Sequence, residues 1–370
     1  MTAGLRSLAL GMPEIVRTND FWRTEHPDLV AQPHATPLAR ANRTPDPHSR
    51  TRLFDEEMAP YLGDPFKGSV ARRLVEAGGT MLPYEVKAVR DALAAAQMTA
   101  EDVDLLICCS FVPDHLDTGN APYLCGALGL KGTAWNLEST CSGGLHAIHA
   151  ASALVATGAY RTIVVVVSVH YSKVIDERHT LAWNSGDGAA AFVVSGVDGG
   201  AGLLGFKSIH TAESCGTFYM KLATGAAGEP LVRMGARLDA GRLLREHGEH
   251  TIRTCCLGAI EAAGVTLADI DFFIFPTPVP WYARFCARVL NVDPARTIST
   301  HRFYCNVGPV LPAVNLYHAA ETARIREGSL VLVSTIGSVS SAAAAVMRWG
   351  DVALGPAPVP AVDLREAALA

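Results

Sequence analysis

The stretch Asn136-Leu-Glu-Ser-Thr-Cys-Ser-Gly-Gly-Leu-His146 decides how this chain folds. It predicts a strand, a tight turn and the start of a helix, with Cys141 at the turn. A cysteine at a helix N-terminus meets unpaired backbone N–H groups and the positive end of the helix dipole, which favour a thiolate. The other interpretation is a small buried cysteine that only fills space. The two glycines that follow allow a substrate to approach closely, and they favour a nucleophile.

The chain contains an internal repeat, in which Ala92 aligns with Ala259. Residues 92–107 match residues 259–274, and each copy predicts a helix, a Thr-x-x-Asp turn and a buried strand. Further along, residues 150–167 resemble residues 319–333. Because there are only two copies, the sequence predicts a duplicated α/β unit rather than a solenoid.

The same alignment relates the loops of the two halves. It places Cys141 beside the turn that contains Asn306, and it maps Ser110 onto Thr277. Equivalent turns of two related halves meet across a pseudo-twofold axis. We therefore expect four loop ends to converge on one site between packed layers.

The composition is typical of a compact enzyme. The 370 residues are 49% hydrophobic and 18% charged, and the net charge of −5 gives no electrostatic footprint for nucleic acid. No apolar run approaches the ~18 residues of a membrane span, and the N-terminus does not resemble a signal peptide. Nine cysteines without a secretion signal predict reduced thiols in the cytoplasm. The adjacent pairs Cys108-Cys109 and Cys255-Cys256 are poor chelates, so no metal is expected.

Hydrophobic periodicity predicts the remaining organisation. We expect a first strand within residues 1–20, an irregular insertion at 21–65, and a helix over 70–96 that is broken near Gly78. The β-branched run 163–169 is too apolar for an edge strand, so we place it at the centre of a sheet covered on both faces. Further strands are predicted at 105–110, 272–275, 329–334 and 342–348. Further helices are predicted at 120–128, 141–157, 242–263, 281–290 and 309–326.

Four motifs together resemble the ketoacyl-ACP synthase III branch of the thiolase-like superfamily. They are Ser139-Thr-Cys-Ser-Gly-Gly144, Ser185-Gly-Asp-Gly-Ala-Ala190, the Asn306 turn and the Gly337 turn, in that order. The resemblance implies a five-layer αβαβα fold built from two halves, residues 1–199 and 200–370. It also implies a homodimer that needs no cofactor, in which Cys141 accepts an acyl group from acyl carrier protein or coenzyme A.

The resemblance also implies roles for the surrounding turns. The backbone N–H groups of Cys141 and Gly337 would form an oxyanion hole, which stabilises charge on the thioester oxygen. Gly186 and Asp187 would form a structural turn beneath the site.

The sequence departs from the family pattern at one decisive position. Members that decarboxylate malonyl groups carry a histidine after the second-half strand, and here Thr277 occupies that position, within Phe275-Pro-Thr-Pro-Val-Pro280. Asn306 is retained in altered surroundings. Losing one of two donors to the enolate removes roughly 3–4 kcal/mol of stabilisation. Threonine donates a hydrogen bond, but it carries no charge and is no base near neutral pH.

These departures predict an acyltransferase that forms a thioester on Cys141 and delivers the acyl group to a hydroxyl or amine of a small-molecule acceptor. Relatives without the histidine suggest secondary metabolism, such as antibiotic biosynthesis. The acceptor proton requires a base. His301 is the nearest candidate in sequence, with a surface or hinge histidine as its other interpretation. His170 and His115, which both follow strands that end near the site, are further candidates.

Three alternatives remain open at this point. The chain could be a decarboxylative ketoacyl synthase, with Thr277 or His301 in place of the histidine. It could be a non-catalytic partner in a heterodimer, although an intact Cys141 argues against this. It could also be a binding module that carries out no chemistry.

Overall fold

The computed structural model describes residues 2–31, 51–225, 228–337 and 340–362. The strands are β1 (Thr2–Gly11), β2 (Ile15–Thr18), β3 (Ala71–Leu74), β4 (Leu105–Phe111), β5 (Thr133–Asn136), β6 (Thr162–Val169), β7 (Gly188–Val197), β8 (Gly202–His210), β9 (Phe218–Thr224), β10 (Pro230–Ala236), β11 (Phe272–Ile274), β12 (Leu330–Ile336), β13 (Ser341–Arg348) and β14 (Ala353–Leu354). The α-helices are α1 (Asp20–Glu25), α2 (Pro27–Ala31), α3 (Arg52–Met58), α4 (Leu82–Ala95), α5 (Ala121–Leu128), α6 (Gly143–Ala156), α7 (Tyr171–Val174), α8 (Ala240–Ala263), α9 (Tyr282–Leu290), α10 (His301–Tyr304) and α11 (Leu311–Glu321).

Two sheets carry the fold, and they repeat one topology. The first has the strand order β14-β1-β7-β6-β4-β5, and the second has the order β11-β12-β13-β8. In the first, β1 and β6 both run antiparallel to β7, and β4 is parallel to β6. In the second, β8 and β12 both run antiparallel to β13, and β11 is parallel to β12. The duplication predicted from the internal repeat is thus visible in the strand pairing.

The strand β6 lies in the middle of the first sheet, as its β-branched sequence predicted. All eight of its residues are buried. Such a strand must be covered on both faces, because alternating apolar and polar residues would mark a face exposed to water. Helix α4 covers one face of the sheet, and α6 covers the other.

The layers follow from these contacts. Helices α6 and α11 each touch strands of both sheets, so they form a central layer. Helix α4 packs outside the first sheet, and α8 packs outside the second. Three buried apolar clusters fill the spaces between the layers, and the largest surrounds α6 and α11. The result is the five-layer αβαβα arrangement.

Two of the predicted segments differ from the structure. The helix predicted over residues 70–96 is instead the strand β3 followed by α4, because Gly78 and Gly79 lie in a turn that ends the extended segment. The described part of the 21–65 insertion is largely helical rather than irregular. Within it, α3 is tied to α9 by ion pairs between Arg288 and the carboxylates of Glu56 and Glu57.

The C-terminal segment returns to the first half. After β13 the chain places β14 in parallel beside β1, and the Gly355 N–H donates to the Leu8 carbonyl at 2.9 Å. The guanidinium of Arg73 donates to the carbonyls of Val359 and Pro360 at 2.7 and 2.6 Å. Residues of the second half therefore complete the first sheet. Among the described helices, none is both long and apolar enough to cross a membrane.

Candidate active site

Cys141 lies at the junction that the opening motif predicted. A 3₁₀ turn over Thr140–Ser142 leads directly into α6. Thr140 has a φ of +50°, which is a rare conformation for a β-branched residue. The carboxylate of Glu138 holds this turn by accepting the Thr140 N–H. Backbone strain of this kind is found where the surrounding structure fixes a functional residue.

Cys141 is a half-buried residue. Burial raises the pKa of its thiol to about 11, and the charge of Glu138 adds to this increase. Hydrogen bonds from the Tyr171 phenol and from the cysteine's own backbone oppose the increase. The end of a helix contributes at most ~2 kcal/mol, about 1.5 pKa units. The raised pKa runs against the thiolate that the sequence favours, so we expect the thiol to lose its proton during the reaction.

Tyr171 is a site residue that the sequence reasoning missed. Its buried phenol lies within hydrogen-bonding reach of the Cys141 thiol, and burial raises the pKa of Tyr171 well above the ordinary value. The neighbouring residue fixes its backbone, because Asp187 accepts both the N–H and the hydroxyl of Ser172. The sequence signal was its position, two residues after the central strand β6.

Gly186 and Asp187 lie beneath the site, in the turn that precedes β7. Besides Ser172, the Asp187 carboxylate accepts the Val75 N–H at 2.9 Å. Burial raises the pKa of Asp187, while these hydrogen bonds oppose the increase. A Cβ at Gly186 would overlap the Tyr304 carbonyl, so only glycine fits there. This geometry agrees with a structural role for both residues.

The Asn306 turn of the second half is joined to that same turn. The Asn306 N–H donates to the Asn184 carbonyl at 2.8 Å, and the Gly186 N–H donates to the Asn306 carbonyl at 3.0 Å. The side-chain Oδ1 of Asn306 accepts the Gly308 N–H at 2.9 Å, which leaves Nδ2 as its donor. A Cβ at Gly308 would lie 3.0 Å from the Tyr171 hydroxyl. These contacts bring together Cys141, Tyr171 and the Asn306 turn. The internal repeat predicts this proximity for Cys141 and the Asn306 turn.

Thr277 lies in the same part of the fold, but its side chain is not exposed towards the site. It is completely buried, and its hydroxyl accepts a hydrogen bond from the Asn315 amide at 3.2 Å. The Asn315 amide also donates to the Phe275 carbonyl at 3.0 Å. The position that the resemblance assigns to a catalytic histidine thus holds a residue of the buried framework, with no surface for a substrate.

His301 is also completely buried, which argues against the predicted base role. Its Nδ1 hydrogen-bonds to the Thr277 carbonyl at 2.9 Å, and its Nε2 hydrogen-bonds to the Ser69 hydroxyl at 3.1 Å. Burial lowers the pKa of His301 to about 4. Both ring nitrogens are occupied, so His301 has no free nitrogen to receive an acceptor proton. The structure corrects this expectation and makes His301 a framework residue.

Gly337 lies against the Cys141 turn, but its N–H is already used. A Cβ at Gly337 would overlap the Thr140 hydroxyl, which explains the need for glycine. Its N–H donates to the Ser341 carbonyl at 2.7 Å. In this structure the Gly337 N–H is therefore not available as the second oxyanion donor, contrary to the role implied by the resemblance. Residues 338 and 339, which follow it, lie outside the described residues.

A cavity of about 700 Å³ reaches the other side of this cluster. The residues that line it include Tyr171, Ser185, Trp22 and Arg233. Tyr171 also contacts Cys141, and Ser185 pairs with Asn306 through a β-bridge. Within the described ranges, no group of three or more His, Cys, Asp or Glu side chains is placed to hold a metal ion.

The comparisons with known proteins show which family this chain is similar to. The family model of 3-oxoacyl-[acyl-carrier-protein] synthase III matches residues 135–212, and the C-terminal model of the same family matches residues 260–349. A β-ketoacyl-[acyl-carrier-protein] synthase III from Symbiobacterium thermophilum is 26% identical over 365 residues, covering 94% of this chain and 98% of the relative. One from Agrobacterium fabrum is 27% identical over 282 residues, covering 75% and 87%.

Solved structures of the same kind superimpose on nearly the whole chain. The synthase III from Thermus thermophilus has a TM-score of 0.73 and 26% identity, covering 94% of this chain and 99% of that structure. The synthase III from Pseudomonas aeruginosa has a TM-score of 0.74 at 18% identity, covering 95% and 99%, which is a likeness of fold. This chain belongs to the ketoacyl-ACP synthase III branch of the thiolase-like superfamily.

As a member of the ketoacyl-ACP synthase III branch, the protein is a transferase of the acyl-transferring or condensing type. The first family model includes the Cys141 turn, and the C-terminal model includes the Asn306 turn. In this protein Thr277 and His301, beyond the end of β11, are completely buried in the framework.

Proposed function

We propose that this protein is an acyltransferase that moves an acyl group through a thioester on Cys141 to a hydroxyl or amine of a small-molecule acceptor. In the first half-reaction the Cys141 sulfur attacks a donor thioester, and the donor's thiol leaves with a proton. In the second, the acceptor attacks the new thioester and releases Cys141 as a thiol.

One observation carries the proposal: Cys141 is a partly exposed residue, whereas Thr277 and His301 are completely buried with their polar atoms engaged. Acyl transfer needs a thiol and a donor to the thioester oxygen, and the Cys141 turn supplies the thiol. Condensation with malonyl needs in addition two donors to the enolate. We propose Asn306 Nδ2 as one of them, because Oδ1 of the same amide accepts the Gly308 N–H and leaves Nδ2 as the donor.

The donor is an acyl thioester of acyl carrier protein or coenzyme A. The relatives from Symbiobacterium thermophilum and Agrobacterium fabrum carry acyl carrier protein in their names, which supports the carrier-bound form. All nine cysteines are free thiols, which fits a reducing compartment such as the cytoplasm. We propose a homodimer as well. The edge strand β5 leaves Trp135 41% exposed, and an unpaired edge of this kind favours pairing with a second chain.

The decisive experiment is intact mass spectrometry of the protein after incubation with a panel of acyl thioesters. A mass increase equal to the acyl group is expected in the wild type and absent in Cys141→Ala. Wild-type protein that gains no acyl mass from any donor would contradict the proposal, and it would favour a non-catalytic partner or a binding module.

Thr277→Val is the matched control for the framework role of Thr277. The substitution keeps the shape and removes the hydroxyl, so the Asn315 hydrogen bond is lost at a cost of about 1 kcal/mol in stability. Acylation of Cys141 should proceed at the wild-type rate. A severe loss of acylation at unchanged stability would mean that the Thr277 hydroxyl takes part in the chemistry.

A decarboxylative ketoacyl synthase is the second candidate, because the named relatives are synthases and Asn306 is retained. Release of CO₂ from malonyl thioester distinguishes the two functions. We expect none from the wild type, and CO₂ release that depends on Cys141 and Asn306 would favour condensation.

A further inference from the structure

A histidine and an aspartate face each other at the wall of the large cavity that reaches the Cys141 cluster. The Nδ1 of His170 lies 3.5 Å from the Oδ1 of Asp114, and each side chain is only 4% exposed. Among the described residues neither atom has a hydrogen bond to another group, although the Lys173 ammonium lies 3.6 Å from the same Asp114 oxygen. Buried polar atoms without a close hydrogen bond are costly, so the pair calls for an explanation.

Asp114 is rigidly held in its ionised form. Its second oxygen accepts the N–H groups of Met81 and Leu82, at the start of α4, at 2.8 and 3.1 Å. Burial tends to raise the pKa of Asp114, but His170, Lys173 and these N–H groups outweigh it, and the pKa is lowered. An ionised carboxylate at this position orients the imidazole through Nδ1, which leaves Nε2 as the nitrogen that can meet a ligand.

The pair is adjacent to the reactive thiol. His170 precedes Tyr171, whose phenol contacts Cys141, and both residues line the same cavity. A molecule bound in the cavity would therefore contact both the imidazole and the tyrosine that contacts Cys141. His301, in contrast, does not line this cavity.

We propose that His170, oriented by Asp114, is the general base that takes the proton of the acyl acceptor. This inference rests on the proposed acyltransferase function. His170 Nε2 removes the proton as the acceptor oxygen or nitrogen attacks the thioester carbon, and a tetrahedral intermediate forms. Its collapse breaks the carbon–sulfur bond, and the departing sulfur of Cys141 takes the proton from the imidazolium. The enzyme returns to a neutral histidine and a thiol, so no other reactant is needed.

The charges around His170 suit this role and the class of acceptor. Glu76 and Asp187 act on it electrostatically in addition to Asp114, while Lys173 lies 3.6 Å from the Asp114 carboxylate. The carboxylates stabilise an imidazolium during the reaction. The wall also carries Arg17 and Arg233, so charges of both signs surround the space. Such a cavity fits a polar acceptor with several hydroxyl or amino groups better than a second acyl chain.

The test separates the two half-reactions. Cys141 is first acylated with acetyl coenzyme A and followed by intact mass spectrometry. Loss of the acetyl group is then measured from pH 5 to pH 9 with water and with hydroxylamine, which attacks thioesters without a base. In His170→Gln we expect acylation within about threefold of wild type and hydrolysis slowed by roughly 100-fold. Cleavage by hydroxylamine should be unchanged. The decline of hydrolysis towards acid pH should disappear, and added imidazole should restore hydrolysis in His170→Ala.

Two further variants test whether the slower hydrolysis in His170→Gln is only a structural effect. Asp114→Asn keeps the shape and should slow hydrolysis less than His170→Gln does. His318→Gln removes a different buried histidine, which has Glu321 as its carboxylate partner at 2.9 Å and does not line the cavity, and it should leave hydrolysis unchanged. Hydrolysis at the wild-type rate in His170→Gln, or an equal loss with hydroxylamine, would overturn the assignment of the base. Wild-type protein that forms no acyl-enzyme would instead overturn the proposed function and this inference with it.

Discussion

The hydroxyl of Tyr171 and the thiol of Cys141 interact across the space between α7 and the turn that begins α6. The same hydroxyl lies beside Gly308, in the turn of the second half that corresponds to the Cys141 turn. Tyr171 thus contacts both of the duplicated turns. It also lowers the pKa of Cys141 against the larger effect of burial.

The rate of Cys141 alkylation should depend on these two opposing effects on its pKa, burial and the hydrogen bond from Tyr171. Because burial raises the pKa of Cys141 to about 11, its reaction with iodoacetamide should accelerate about tenfold per pH unit between pH 7 and pH 10. In Tyr171→Phe the favourable hydrogen bond is lost, so the pKa rises further and alkylation at pH 8 slows. The measurement is mass spectrometry with Cys141→Ala as the background. A rate that is already constant from pH 7 to pH 8 would show a standing thiolate.

The stability of the protein should depend on His301 at mildly acidic pH. The pKa of His301 is lowered by burial to about 4, below the ~6.5 of an unfolded chain. The unfolded state therefore binds the proton first. The contribution is fully present above pH 6.5 and is lost as pH falls towards 4, by up to roughly 3 kcal/mol. In His301→Gln, the decline of the melting temperature from pH 6.5 to pH 4 should be shallower. A slope identical to that of the wild type would contradict this prediction.

Glu85 gives the opposite pH dependence. It is completely buried on α4, where Asn120 donates to its carboxylate at 3.0 Å and Ser168 donates as well. Burial raises the pKa of Glu85 despite these donors, so its contribution is present below the unfolded value and is lost as pH rises through the folded value.

Glu85→Gln keeps the hydrogen-bonding shape without the charge. It should therefore raise the free energy of unfolding at pH 8, measured by urea denaturation, and change little at pH 4. Glu85→Ala should destabilise at both pH values, because it leaves a cavity and unpaired donors. A Glu85→Gln protein that is less stable than wild type at pH 8 would show that the ionised carboxylate is favoured.

Gly337→Ala should slow acylation of Cys141 by at least about tenfold. The added Cβ would overlap the Thr140 hydroxyl and lie 2.7 Å from the Ser341 carbonyl, which forces the Cys141 turn to move. A misplaced nucleophile loses rate steeply. The control is Gly126→Ala on α5, where a Cβ meets nothing within 4 Å and the helix should gain up to about 1 kcal/mol. Wild-type acylation in Gly337→Ala would mean that the turn adapts without consequence.

The sequence predicted the fold well because its signals are local or repeated. The Cys141 turn, the central strand β6 and the internal repeat all depend on patterns within short windows, and the structure contains each of them. The Gly186 turn could be predicted from its motif in the same way. The β9–β10 hairpin was missed, because its strands are largely exposed and lack a strong apolar pattern.

The sequence could not predict which histidine lines the cavity. His301 is the nearest candidate to Asn306 along the chain, yet its contacts with Ser69 and Thr277 come from distant segments that close around it. His170 gains its importance from Asp114, which lies far earlier in the chain and is brought opposite by the pairing of β4 with β6. The raised pKa of Cys141 could not be predicted for a similar reason, since burial is a property of the packed layers.

The strand β14 has a consequence for how this duplicated protein can be taken apart. This strand pairs with β1, and Arg73 donates to the nearby carbonyls of Val359 and Pro360. A segment of the C-terminal half therefore forms one edge of the first sheet. Cutting the polypeptide between the two halves would therefore remove the covalent link that holds β14 at the edge of the first sheet.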